Sequence, residues 1–199
     1  MFYFTTVQTR LFLLLVFSFL ISCSGNNMNY KQNNNLKFSI EHFFEGDTIA
    51  YGIFEDRFNN LKRQFRVNIN GKKTEDGIIL NEEFLYDDGE KDTRIWKFKV
   101  LNKDKEGNIE YEGSTKDALG KAYGVVKGNI FNFKYDINLE ISGKKLKVHF
   151  NDWIYQQDRD IAINRAYVSK FGINIGSVTL VFLRGDLSKS IGKLNLEEW

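Results

Sequence analysis

Hydrophobic and polar residues alternate along most of the chain between residues 48 and 184, which is the pattern of β-strands that bury one face. The alternation is clearest from Phe131 to Ile141, where aromatic or aliphatic residues hold every second position and polar residues fill the positions between them. Such a long period of two predicts a strand with one buried and one solvated face. Turns that contain Gly, Asn or Asp, such as Asn70-Gly71, separate neighbouring stretches.

This pattern recurs often enough to predict an all-β domain. The predicted strands cover residues 48–54, 61–69, 78–86, 94–100, 109–113, 122–127, 131–141, 146–154, 161–171 and 178–183. About eight to ten strands joined by short turns predict one antiparallel barrel or a sandwich. A barrel of about eight strands is just wide enough to hold one small ligand.

Weaker helical patterns lie at the two ends of the domain. Apolar residues at helical spacing, including Ile40 and Phe43, are followed by Gly46 and predict a short N-terminal helix of one or two turns. Residues 187–199 also show helical spacing, but Gly192 interrupts it. We interpret this last segment as a tail that packs against the outside of the domain.

The N-terminus resembles the export signal of a bacterial lipoprotein. Arg10 is the only charged residue before Cys23, residues 11–21 form an apolar run broken only by Ser18, and Leu20-Ile21-Ser22-Cys23 resembles a lipobox. A run of about eleven apolar residues is shorter than the ~20 residues that a membrane-spanning helix needs. An ordinary cleaved signal peptide and a short membrane anchor are the alternatives, and the position of the lone cysteine favours lipidation.

These features divide the chain into a signal peptide (1–22), a lipidated Cys23 with a flexible tether (23–35), a barrel domain (36–186) and a tail (187–199). The tether is rich in Asn and poor in apolar residues, so it cannot bury enough surface to offset its ordering entropy. As a random coil it would reach roughly 20 Å. Ser24 resembles the sorting signal for the outer membrane, so we expect the protein on the periplasmic face of that membrane in a Gram-negative bacterium.

Composition narrows the range of partners. The net charge of +2 supplies no long-range field that would attract nucleic acid. Besides Cys23, the chain offers only His42 and His149 as soft metal ligands, and no nucleophile elbow or phosphate loop is present, so we expect no metal site and no cofactor. We expect a monomer that contacts the membrane through its N-terminal lipid and binds an apolar small molecule or lipid.

Four charged residues fall on predicted apolar faces: Glu82, Arg94, Asp152 and Arg165. A three-residue loop between the third and fourth strands would place Glu82 directly opposite Arg94 on the inner face, within reach of an ion pair. A four-residue loop at Gln156–Arg159 would place Asp152 diagonal to Arg165. Since a buried charge is costly unless it is paired, we predict that these residues form internal ion pairs.

Two interpretations of this cluster stay open. The charges either fix strand register or reach water near a barrel mouth, or they form a polar cluster at the base of a ligand pocket, where they would bind a head group or a carboxylate. On the second interpretation, the candidate ligand-binding residues are Glu82, Arg94, Trp96, Tyr135, Asp152 and Arg165.

A set of ordered motifs runs through the predicted domain. They are Phe44-Glu45-Gly46, Ala50-Tyr51-Gly52, Asp56-Arg57-Phe58, Glu82-Glu83-Phe84, Tyr86-Asp87-Asp88-Gly89-Glu90, Arg94-Ile95-Trp96, Asp117-Ala118-Leu119-Gly120-Lys121-Ala122, Gly128-Asn129, Asp152-Trp153-Ile154-Tyr155, Asn164-Arg165-Ala166 and Lys170-Phe171-Gly172. Together they resemble domain-of-unknown-function family 3833 of bacterial lipoproteins, over nearly all of the mature chain. Ile154 and Asn59 depart from the more usual methionine and glycine of that family.

The resemblance implies a place in membrane lipid chemistry, because genes of this family often neighbour those of cyclopropane-fatty-acid-synthase-like methyltransferases. It implies no established activity. A short N-terminal helix before an antiparallel barrel is also similar to the lipocalin (calycin) architecture, whose members hold apolar ligands, although a shared fold does not by itself establish a function.

Three hypotheses about function follow. The first is a non-enzymatic, lipid-anchored barrel that binds a fatty acyl or similar apolar ligand, with Arg94 or Arg165 on its carboxylate. The second is an enzyme acting on lipids, with Glu82 or Asp152 as general acid or base. The third is an accessory scaffold that binds partners through a sheet edge. A large cavity would separate the first two from the third, and a carboxyl without an arginine partner in that cavity would favour the enzyme.

The lipobox generates a first prediction. Cys23→Ala removes the lipidation site, so the precursor should stay unprocessed or the protein should leave the membrane fraction. Cell fractionation and intact-mass measurement check this, with Ser18→Ala as a control that lies outside the tetrapeptide. A mature-sized product that remains membrane-bound in Cys23→Ala would contradict the lipoprotein assignment.

Overall fold

The computed structural model describes residues 36–141 and 144–199, so the predicted signal peptide, the predicted tether with Cys23 and the turn Ser142-Gly143 lie outside the described residues. The described elements, in chain order, are α1 (Ile40–Phe43), β1 (Gly46–Asp56), β2 (Leu61–Lys73), β3 (Gly77–Tyr86), β4 (Lys91–Lys103), β5 (Ile109–Ser114), β6 (Ala122–Lys127), β7 (Ile130–Ile141), β8 (Lys144–Gln156), β9 (Ile161–Lys170), β10 (Ile173–Arg184) and α2 (Gly185–Ile191). None of the described helices has the length and apolarity of a membrane-spanning segment.

The strands form a closed antiparallel barrel. Each strand pairs with its sequence neighbours, and β1 pairs with β10 over residues 48–56 and 176–184, which closes the sheet. The predicted all-β barrel is therefore confirmed. Every second side chain of a strand points into the barrel, which explains the alternation of apolar and polar residues in the sequence. In β6, for example, buried and exposed residues alternate from Ala122 to Lys127.

The helix α1 closes one end of the barrel. Its N-cap, Ser39, accepts a hydrogen bond from the backbone N–H of His42 at 3.1 Å. The ring of Phe38 stacks on Phe131 at a centroid distance of 6.2 Å, and the ring of Phe44 meets Phe182 edge-on at 5.2 Å. We call this the closed end, and the opposite end of the barrel the mouth.

One hydrogen bond joins α1 to the barrel wall. The Tyr111 hydroxyl donates to Oε2 of Glu41 at 2.7 Å, and Tyr111 is fully buried. Burial and the neighbouring Glu41 carboxylate both raise the pKa of Tyr111, so the phenol keeps its proton and remains a donor.

The predicted inner face of β9 is wrong. The expected four-residue loop would have turned Arg165 inward, but Asp152 pairs with Ala166 and Trp153 with Arg165. The register differs by an odd number of residues from the expected one, which moves every side chain to the opposite face. The interior side of β9 therefore carries Ala162, Asn164, Ala166 and Val168, which are buried, and Arg165 lies on the outer face.

The C-terminal segment lies against the outside of the barrel. After α2, the side-chain amide of Asn68 in β2 forms a pair of hydrogen bonds with the backbone of Leu194, each 2.9 Å long. Lys193 forms an ion pair with Glu83 at 3.0 Å. These contacts fasten the tail to the outer faces of β2 and β3.

The bond between helix and wall generates a second prediction. Tyr111→Phe should lower the free energy of unfolding by about 1–2 kcal/mol, because it removes a hydrogen bond to a charged acceptor without changing the ring packing. Denaturant unfolding measures this. Tyr123→Phe, at an exposed ring on the outer face of β6, is the matched control and should have little effect. Equal stabilities for the two variants would contradict the role of this bond.

Candidate functional site

The barrel encloses a cavity of about 1270 Å³. Its depth runs from Ile40 and Phe44 at the closed end to charged residues at the mouth. Small-molecule pockets usually measure roughly 300–1,000 Å³, so this space exceeds what one small ligand requires. The inward side chains of the ten strands therefore leave the barrel open instead of filling it.

Aromatic rings form most of one cavity wall. Trp96 lies between Phe133 and Tyr135, with centroid distances of 5.2 and 5.0 Å, and Tyr135 stacks on Phe150 at 5.2 Å. Such edge-on and stacked pairs stabilise one another beyond the area that they bury. The wall is thus a rigid apolar surface, and Trp96 and Tyr135 lie on it as predicted.

Two glycines in neighbouring strands give these rings their room. A side chain at Gly113 in β5 would start 2.7 Å from the ring of Phe133, and one at Gly124 in β6 would overlap the ring of Phe131. The rings therefore lie back against the bare backbone of β5 and β6. This placement widens the cavity on that side.

Charged residues surround the mouth. Arg63 binds Asp88 at 2.8 Å and Glu90 at 2.5 Å, and its guanidinium lies 3.6 Å from the centre of the Tyr86 ring. Lys116 and Lys145 contribute further charge to the lining. The mouth is consequently polar, whereas the closed end is lined by hydrocarbon.

The structure places Glu82 and Arg94 opposite each other on β3 and β4, both facing the cavity, as the three-residue loop predicted. The predicted ion pair between them is wrong, however. The Arg94 guanidinium instead binds Asp117, at 3.1 Å from Nη2 and 3.2 Å from Nε. In the described part of the chain, Glu82 has no hydrogen-bond or ion-pair partner, although the charge of Arg94 still acts on it.

Asp117 is the residue that the sequence reasoning missed, since it reads as a turn residue. It belongs to the loop between β5 and β6, and this loop runs alongside β7. The Leu119 N–H donates to the backbone carbonyl of Asp136 at 2.8 Å, and the Asn138 N–H donates to the backbone carbonyl of Asp117 at 3.0 Å. One feature of the sequence could have indicated this contact. β7 is twice as long as β6, so the part of β7 that extends beyond β6 needs another backbone hydrogen-bonding partner.

Glu82 is a carboxyl group that retains its proton at unusually high pH. Its side chain is partly buried and lines the cavity. Desolvation raises the pKa of Glu82 to about 7, against the opposing effect of Arg94. The carboxyl is therefore close to half ionised at neutral pH.

A second carboxyl with a raised pKa, that of Asp152, lines the other side of the cavity. Desolvation raises the pKa of Asp152, although a hydrogen bond from Asn164 Nδ2 at 3.0 Å and the Tyr135 hydroxyl work against this rise. Burial and the charge of Asp152 in turn raise the pKa of Tyr135 well above its ordinary value. Arg94 is the cation that acts on both carboxyls, and we call Glu82, Arg94, Tyr135 and Asp152 the polar cluster.

Arg165 does not belong to this cluster. It lies on the outer face of the barrel, where it contacts Glu55 at 3.4 Å and the hydroxyl of Thr179 at 2.5 Å. Within residues 36–141 and 144–199, no group of three or more His, Cys, Asp or Glu side chains is arranged to hold a metal ion. The polar cluster can donate and accept hydrogen bonds, hold an anionic group on Arg94, and exchange a proton at Glu82.

A model of the family described as "Protein of unknown function (DUF3833)" matches residues 17–184. No curated protein matches the chain. Among solved structures, the S-type phycobiliprotein lyase CPES from Guillardia theta is similar at 14% identity and a TM-score of 0.50, over 74% of this chain and 93% of the lyase. A protein described as EF1p2_mFAP2b bound to DFHBI aligns over 74% of this chain and 100% of its own, at 9% identity and a TM-score of 0.38. At such identities, the likeness to the lyase shows a shared lipocalin-like fold.

The raised pKa of Glu82 generates a third prediction. Because the folded state holds this proton more tightly than the unfolded state, Glu82 stabilises the fold below about pH 4.5 and loses that contribution as pH rises through about 7. The loss amounts to about 3 kcal/mol. Glu82→Gln should therefore flatten the decline in the free energy of unfolding between pH 5 and 8, measured by denaturant titration.

The control for this titration is Glu83→Gln, which neutralises the adjacent, exposed carboxyl on the outer face and should keep the wild-type pH dependence. Asp152 acts in the same direction as Glu82, so part of the decline should remain in Glu82→Gln. Parallel curves for wild type and Glu82→Gln would show that Glu82 titrates normally.

Proposed function

Since the chain belongs to the family described as protein of unknown function DUF3833, no activity comes with its family, and we propose that its barrel binds one elongated apolar ligand with a polar head group. A fatty acid or another acyl lipid is the ligand class with this shape. The observation that carries the proposal is the open cavity of about 1270 Å³, apolar at its closed end and along its aromatic wall, with the polar cluster set into it.

The polar cluster supports a head group that is anionic or rich in hydrogen-bond acceptors. Arg94 keeps its charge, because the electrostatic effects of Tyr135, Glu82 and Asp117 outweigh desolvation and raise its pKa. The protonated form of Glu82, whose pKa is about 7, can donate a hydrogen bond to a carboxylate or an ester carbonyl. A ligand carboxylate on Arg94 would compete with Asp117 for the guanidinium, so binding and release can exchange one carboxylate for the other.

The cellular setting of the proposal comes from the N-terminus. An acylated Cys23 would hold the barrel beside a bilayer, on the periplasmic face of the outer membrane, where acyl lipids are abundant. The similar fold of the phycobiliprotein lyase supports a barrel that handles a small molecule. The accessory scaffold finds less support, because the closed barrel leaves no open sheet edge among the described strands.

Glu82 supports a second candidate function, an enzyme that acts on its bound lipid. Its carboxyl has no ion-pair partner in the described chain, faces the cavity and has a pKa of about 7, which suits a general acid or base at neutral pH. Mass spectrometry of a lipid incubated with the protein separates the two functions. A binder returns the lipid unchanged, whereas an enzyme yields a new mass that Glu82→Gln abolishes.

Binding of a fluorescent fatty acid generates the fourth prediction. Arg94→Lys should weaken binding roughly tenfold, because lysine cannot reproduce the two parallel hydrogen bonds of a guanidinium to a carboxylate. Asp117→Asn should instead strengthen binding, because it removes the negative charge that competes for Arg94. Fluorescence titration measures both effects, and thermal unfolding checks that each variant is folded.

Arg165→Lys is the matched control, because this arginine lies on the outer face and should not affect the ligand. Opposite changes in Arg94→Lys and Asp117→Asn with an unchanged Arg165→Lys would support the proposed site. Equal binding by wild type and Arg94→Lys, or no binding of any acyl ligand, would contradict it.

A further inference from the structure

Two neighbouring hairpins at the mouth project apolar side chains into solvent. The turn between β1 and β2 exposes Phe58 by 68% and Leu61 by 53%, and the turn between β9 and β10 exposes Phe171 by 92% and Ile173 by 60%. The hairpins lie side by side, because β1 pairs with β10 and the Arg57 N–H donates to the Ile175 carbonyl at 3.1 Å. We call residues 57–62 and 170–173 the mouth tips.

The fold itself does not favour Phe171 at its position. Lys170 pairs with Ile173, so Phe171 and Gly172 form a two-residue hairpin loop, with φ values of 51° and 78°. Both values are positive, as in a type I′ turn, where Asn-Gly is the preferred sequence. A bulky side chain at positive φ is unfavourable, and this ring buries almost none of its surface in return. Neither the turn conformation nor packing within the barrel therefore explains a phenylalanine at this position.

The other mouth tip is held rigidly by Asp56. Its carboxylate accepts hydrogen bonds from the backbone N–H groups of Phe58 and Asn60, at 2.9 and 3.0 Å. Hydrogen bonds from the Asn60 side-chain amide, the two backbone bonds and the ion pair with Lys62 lower the pKa of Asp56, so the carboxylate stays charged and keeps these partners. Phe58 is thus presented to solvent by an organised loop.

A cation accompanies each exposed ring. The Arg57 guanidinium lies 4.6 Å from the centre of the Phe58 ring, and Lys170 Nζ lies 5.3 Å from that of Phe171. Within the described part of the chain, neither Arg57 nor Lys170 has an acidic partner. Residues 57–62 and 169–174 contain no acidic residue, whereas the hairpin on the far side of β2 carries Asp87, Asp88 and Glu90.

We propose that the mouth tips dock the barrel onto an anionic lipid bilayer, with Phe58, Leu61, Phe171 and Ile173 in the interfacial region and Arg57 and Lys170 at the lipid phosphates. Aromatic and aliphatic side chains flanked by basic residues are the usual anchors at a membrane surface.

This docking brings the mouth of the cavity to the lipid and tilts the acidic hairpin away from it. The described domain begins at the closed end, where the Phe38 N–H donates to the Gly128 carbonyl, so an anchor at Cys23 must be far enough along the chain to let the opposite end of the barrel reach the same membrane. Residues 23–35 can span at most about 45 Å. The β1 strand measures about 36 Å at ~3.3 Å per residue, so the tether is long enough.

The experiment uses the full chain reconstituted into liposomes that contain phosphatidylglycerol and a spin-labelled quencher lipid. Asn174→Cys carries a thiol-linked fluorophore on an exposed position beside the mouth tips that is not one of the proposed anchors, and Lys105→Cys carries the same fluorophore on the exposed turn at the closed end. The unsubstituted chain shows what Cys23 contributes. We expect at least threefold stronger quenching at residue 174 than at residue 105. The difference should shrink in neutral phosphatidylcholine vesicles and at high salt.

A second measurement separates docking from folding. Phe171→Asn restores the preferred turn sequence, so its thermal midpoint should equal or exceed that of the wild type. With the fluorophore at Asn174→Cys, the same substitution should reduce quenching at least twofold. Equal quenching at residues 174 and 105, or no effect of Phe171→Asn, would overturn the proposal. Membrane docking is independent of ligand binding, and this experiment contains no added ligand. A negative result would therefore contradict docking without contradicting the proposed ligand site.

Discussion

The pairing of β1 with β10 is the constraint on which the rest of the structure depends, because it closes ten strands into one barrel. A closed sheet has no free edge, and the width of a barrel grows with the number of its strands. Ten strands enclose more space than their inward side chains fill, even with aromatic residues on one wall. The helix α1 seals one end, so the remaining volume becomes a pocket with a single direction of entry.

The polar cluster takes its properties from this enclosure. In water, Glu82 and Asp152 would be ionised at neutral pH, but the apolar wall disfavours their charged forms. A single arginine, itself held by Asp117 on the loop between β5 and β6, supplies the positive charge. The result is a partly cationic patch with raised carboxyl pKa values in a cavity that also carries an aromatic wall. This combination is the basis on which we propose an acyl ligand, with acid–base chemistry at Glu82 as the second candidate.

Local rules predicted the fold well and the site only in part. Period-two alternation located the strands, the loop at Asp87-Asp88-Gly89 correctly placed Glu82 opposite Arg94, and the motifs correctly indicated the family. The predicted face of Arg165 was wrong because the register of β9 was inferred only from the assumed length of the loop after β8. An error of an odd number of residues in that register turns each side chain of β9 to the opposite face. The partner of Arg94 was also wrong, because Asp117 reaches it through a loop whose path depends on β7, a contact that no local pattern encodes.

Gly113 in β5 and Gly124 in β6 influence the volume of the cavity. At Gly113 and Gly124 the rings of Phe133 and Phe131 occupy the space of the missing side chains. A methyl group on either glycine would push one of these rings toward the barrel axis and reduce the cavity volume. The residues that line the cavity would remain the same. On the proposed function, the length of the bound chain would thus depend on two backbone positions as well as on the residues that line the cavity.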